Sequence, residues 1–175
     1  FYRSSVTVRA KLNAGSYDKP VLLVVAQHDS VLDTAHIRNT FTQRFTHPAS
    51  RLVWYGTADV ETSLERRILT RSDALPERRI SQFSHMGVLF SPHNPLYGEQ
   101  GSQRICWNGQ DDLGMAGCEA GESVWYSDWG YRVAGKYHAR LTYNPYFDWQ
   151  NEVMVEVLNA SQHSTASLTS SHSRR

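Results

Sequence analysis

An α/β fold is what the sequence predicts, on three observations. The run Val21-Leu22-Leu23-Val24-Val25-Ala26 is apolar without alternation, as in a central parallel strand covered on both faces. Ile37, Phe41 and Phe45, with Ala35, mark one face of a following helix. Arg51-Leu52-Val53-Trp54-Tyr55 then reads as a second strand, closed by Gly56. Strands that alternate with helices imply a parallel sheet with flanking helices.

The remaining elements follow in chain order. Residues 3–13 read as a short helix ended by a glycine-type cap at Asn13-Ala14-Gly15. Asp33 is placed to cap the helix after the first strand, and His47-Pro48 stops that helix. A polar connection with a short helix around Leu64, Ile68 and Leu69 leads to Pro76. Arg79-Ile80-Ser81-Gln82-Phe83 alternates and reads as a third strand. Beyond residue 91 the prolines and glycines predict a loop-rich, aromatic elaboration over 91–143. Asn144-Pro145 opens a helix whose apolar stripe is Tyr146, Trp149, Val153 and Val157. The domain is expected to span 1–158. The Ser/Thr-rich stretch 159–175 reads as a disordered tail that contains the sequon Asn159-Ala160-Ser161.

Composition narrows the function classes. Lys and Arg number 18 against 17 Asp and Glu, a net charge of +1, so no charge excess favours nucleic acid or an anionic membrane surface. No apolar run approaches the roughly 20 residues that span a bilayer. Cys106 and Cys118 lie in one Gly-rich stretch as a disulfide or as two thiols, and free thiols are the favoured reading. Without a C-x-x-C, a structural zinc site is disfavoured. Cytoplasm and cell envelope both stay open.

Chemistry concentrates in two places. Asp29 follows the buried strand in Gln27-His28-Asp29-Ser30, at the carboxyl end, where open α/β sheets place their sites. His85, in Ser84-His85-Met86-Gly87, follows the expected third strand at the same edge. An acid there can orient an imidazole, and an imidazole moves protons at neutral pH. Asp33 is the rival acid but reads better as a helix cap. Two other classes compete. His28, Asp29, Asp33 and His36 are close in sequence and all can ligate a divalent metal. The Trp- and Tyr-rich region 124–149 suits a non-catalytic, partner-binding module.

The segment Pro20 to Val31, ending Ala26-Gln27-His28-Asp29, resembles the acid loop of the α/β-hydrolase family. Ser84-His85-Met86-Gly87 resembles its histidine loop, and the order acid then histidine matches. The resemblance covers roughly residues 15–90. It implies a serine hydrolase of the carboxylesterase, lipase or lysophospholipase kind, with Asp29 and His85 as triad members. The substrate would be an ester, lipids included, and no cofactor is implied. The span from Asp29 to His85 is longer than the family's usual one; the connection 57–76 accounts for the excess. No Gly-x-Ser-x-Gly occurs in the chain. The resemblance therefore implies a C-terminal part, inactive alone, whose serine and oxyanion donors lie upstream of Phe1. Residues 1–14 would be the end of a cap helix. The first strand would lack sheet neighbours and leave an open apolar edge.

Overall fold

The computed structural model describes residues 2–58 and 65–171, with side chains as far as residue 160. The first half runs α1 (Tyr2–Ala14), β1 (Leu22–Ala26), α2 (Thr34–Arg44), β2 (Arg51–Tyr55) and β3 (Ile68–Arg71). Single 3-10 turns follow at Pro76–Arg78 and Met86–Val88. Then come α3 (Asp112–Glu119), β4 (Val124–Ser127), β5 (Tyr137–Arg140) and α4 (Phe147–Ser171).

β1, β2 and β3 form a parallel sheet in that spatial order. The register sets Leu22 beside Arg51 and Leu52 beside Ile68. Strand alternation splits the apolar residues between two faces. Ala26, Val53 and Tyr55 pack with Ile80, Phe83, Leu141, Tyr143 and Val153. Val25, Leu52 and Trp54 pack with Phe41 of α2 and with Ile68. Helix α2 thus covers one face, and the buried stripe of α4 lies on the other. Phe41 is wholly buried, worth about 1.5–3 kcal/mol relative to an exposed ring. Asp33 caps α2 as expected, accepting from the His36 N–H at 2.9 Å.

Several expectations need correction. The third strand is Ile68–Arg71, not 79–83. Both edges of the buried strand β2 need a backbone partner, and Ile68–Arg71 supplies the second. Of the helix expected there, Leu64 lies outside the described residues. At 79–83 the chain turns at Arg79, in the left-handed region at φ 54°, which breaks an extended run. Ile80 makes only isolated bridges, to Leu75 and Tyr126. β1 is an edge strand among the described residues, and β2 is the central one. Gly15 does not adopt a left-handed φ, so α1 ends without that cap.

Two further differences lie downstream. α4 continues to Ser171, making 159–171 helical where a tail was expected. Extending a helix costs far less than nucleating one, so a weak sequence can follow a strong one. The cysteines are paired: Cys106 and Cys118 form a disulfide with Cα atoms 5.6 Å apart, not two thiols. Helix α3 returns the chain to bring them together, both buried beside Val124 and Ala139. β4 and β5 form a second, two-stranded parallel sheet within the loop-rich region.

Candidate functional site

β1 ends at Ala26, and the chain leaves it in a tight turn in which the Asp29 N–H donates to the Ala26 carbonyl at 3.1 Å. The Asp29 side chain then folds back on its own loop. Oδ1 accepts from the N–H groups of Val31 at 2.8 Å and Leu32 at 3.1 Å. That leaves Oδ2 aimed outward, and it lies 2.6 Å from His85 Nδ1. The carboxylate is buried, with 3% of its side chain exposed, whereas 42% of the His85 side chain is exposed.

His85 is held by an equally local device. Ser84, wholly buried, donates its hydroxyl to the Leu141 carbonyl. The same oxygen accepts from the N–H groups of Met86 and Gly87, both at 3.1 Å. A Cβ on Gly87 would meet Leu141 Cδ2 at 2.9 Å, so the small residue lets this turn seat against Leu141. The imidazole projects from the turn toward Asp29.

A carboxylate oxygen only accepts, so Nδ1 of His85 carries the proton and Nε2 presents its lone pair. Nε2 makes no hydrogen bond among the described residues. The arrangement is an oriented, half-exposed imidazole beside a fixed carboxylate.

Asp29 and His85, the two residues the sequence selects, are therefore brought together. The four-residue metal cluster is not. His28 pairs with Asp73, Asp29 with His85, and Asp33 caps α2. His36 Nε2 lies 3.4 Å from the Thr40 hydroxyl. Among the described residues no group of three His, Cys, Asp or Glu converges as a metal site would require.

Three residues of the acid loop are tied outward, each to a different segment. Gln27 Oε1 accepts from the Thr57 N–H at 2.7 Å. Gln27 sits where a side chain on Gly56 would stand, 2.2 Å from Oε1. His28 Nδ1 lies 2.6 Å from Asp73 Oδ2. The Ser30 hydroxyl donates to Asp128 Oδ1 at 3.3 Å. Sequence reasoning missed Asp73 and Asp128. Asp73 stands two residues past β3, so assigning Ile68–Arg71 as a strand would have put it at the same sheet edge.

The aromatic region divides between core and surface. Tyr143 is buried and Trp149 packs against the first core. Trp107 and Trp129 stay exposed, their rings edge to face at 4.7 Å, with the Arg140 guanidinium 5.0 Å from the Trp129 ring. No helix among the described residues is long and apolar enough to cross a membrane. No family model matches the chain, and comparison with curated proteins and with solved structures gives no match.

Proposed function

We propose that this chain supplies the acid and the base of a serine hydrolase acting on carboxylic esters, with the serine on a segment outside these 175 residues. The observation that carries the reading is the Asp29–His85 hydrogen bond, made by a buried carboxylate whose other oxygen is already occupied.

The chemistry would run as acyl transfer to water. His85 Nε2 takes the hydroxyl proton as the serine oxygen attacks the ester carbonyl, and returns it to the departing alkoxide. A water then loses its proton to Nε2 and attacks the acyl-enzyme, and Nε2 returns that proton to the departing serine oxygen as the acid is released. Asp29 keeps Nδ1 protonated and stabilises the imidazolium formed in each step. An imidazole suits the task because its ordinary pKa lies near neutrality.

The test is a fluorophosphonate probe on the complete gene product. One serine, in a Gly-x-Ser-x-Gly outside these 175 residues, should be labelled. His85→Ala should slow labelling by about 10²–10⁴-fold, the usual worth of a general base. Undiminished labelling, or a gene that encodes no such motif, overturns the reading. The exposed Trp107–Trp129 pair favours a second reading, a partner-binding surface on a hydrolase-like scaffold. An unlabelled, inactive complete protein would favour that one.

A further inference from the structure

The acid loop contains a second histidine–carboxylate pair, next in sequence to the first. His28 Nδ1 and Asp73 Oδ2 are 2.6 Å apart, the same atoms and the same distance as in His85 and Asp29. The exposures match as well. Asp73 keeps 6% of its side chain exposed and His28 43%. The bond spans the sheet edge, from the exit of β1 to the exit of β3, over the carboxyl end of β2 at Gly56.

A buried carboxylate is an expensive way to tie two loops, because its charge must be taken out of water. The loop has a cheaper, uncharged tie in Gln27–Thr57. Asp29 explains why a stiffer one is useful. Among the described residues its Oδ1 is anchored only to N–H groups of its own loop, so the carboxylate moves wherever the loop moves. The short, charge-assisted His28–Asp73 bond grips the residue immediately before it.

We propose that His28 and Asp73 are positioning residues that fix the 28–29 peptide and so aim Asp29 Oδ2 at His85 Nδ1. The proposal rests on the hydrolase reading for its kinetic consequence, and on geometry alone for the coupling between the two pairs. A displacement of about 1 Å at a reacting group can cost about 100-fold in rate.

Proton NMR of the 175-residue chain tests the coupling without substrate. Imidazole N–H groups bonded to buried carboxylates should give two slowly exchanging downfield signals. His28→Gln and His85→Gln identify them by removing one each. Asp73→Asn keeps the shape of the side chain and removes the charge. It should abolish the His28 signal and also shift the His85 signal and speed its exchange. His28→Gln, a change at a half-exposed side chain, should move the His85 signal in the same way and serves if Asp73→Asn does not fold. A His85 signal unmoved in position and exchange when the His28 signal is gone overturns the proposal. In the complete enzyme Asp73→Asn should lower kcat about 100-fold with KM unchanged. An inactive complete enzyme counts against the hydrolase reading alone, whereas an unmoved His85 signal counts against the positioning role.

Discussion

A carboxylate that must hold one imidazole nitrogen cannot also be free to turn. Asp29 meets this requirement by giving one oxygen to two backbone N–H groups and the other to His85. Replacing it with Asn keeps the shape but makes the His85 contact ambiguous, since an amide can present N–H as well as C=O. The imidazole would then settle with its proton on Nε2, the wrong nitrogen for a base. Under the proposed mechanism Asp29→Asn should lower kcat about 10⁴-fold in the complete enzyme, with little change in the thermal midpoint. Steady-state kinetics beside a melting curve checks this; a loss below tenfold contradicts the assignment. Asp29 was legible because it follows a recognisable apolar run; His85 was reached through the alternating segment 79–83, which does not fold as a strand, and through the small Ser84 and Gly87 that flank its turn. Asp73 was not, because the strand before it reads as a helix by spacing. Asp128 was hidden among loops, with nothing in its neighbours to separate it from a surface acid.

Among the elements, β2 reads to its ends because the apolar and aromatic run Leu52-Val53-Trp54-Tyr55 stops at a glycine. Ile68–Arg71 is harder. Four residues carry little periodicity, and the decisive fact is the open edge of β2, which only the folded sheet reveals. The aromatic stretch before α4 divides between core and surface, and the packing of its buried part has a measurable consequence. The Tyr55 hydroxyl donates to Gln150 Oε1 at 3.0 Å and accepts from Asn144 Nδ2 at 2.9 Å. Burial pushes the ionisation of Tyr55, Tyr143 and Tyr146 above the ordinary phenol value. On β5, burial pushes His138 below the ordinary imidazole value. For the tyrosines the folded state favours the neutral phenol. Their stability is full below about pH 10, where the unfolded groups begin to ionise, and falls as pH rises beyond it. For His138 the folded state favours the neutral ring. Its contribution is full above about pH 6.5 and falls as pH drops below that value. Urea midpoints should therefore be flat between about pH 7 and 9.5 and decline on both sides. Tyr55→Phe should flatten the alkaline decline; a midpoint that rises between pH 10 and 11 contradicts this account.

For the whole chain, the class was legible and the second sheet was not. Long apolar runs announce a parallel sheet, but β4, β5 and α3 have four, four and eight residues set among glycines. Their pairing depends on the Cys106–Cys118 bond and on the Gln110 amide, which accepts from the His138 N–H and donates to its carbonyl. Both are contacts between distant positions, and spacing alone does not encode them. The Ser30–Asp128 bond then joins this region to the acid loop, so the elaboration braces the candidate site. The edge position of β1 has a consequence of another kind. The Arg51 N–H donates to the Val21 carbonyl and the Gln27 N–H to the Tyr55 carbonyl. By the two-residue repeat of a strand, Leu23 and Val25 also turn their backbone groups to β2, while Leu22 and Val24 turn theirs to the open side. Deuterium uptake along β1 should therefore be uneven residue by residue, slow at Leu23 and Val25 and fast at Leu22 and Val24. A polypeptide strand seated along that side would protect all four alike.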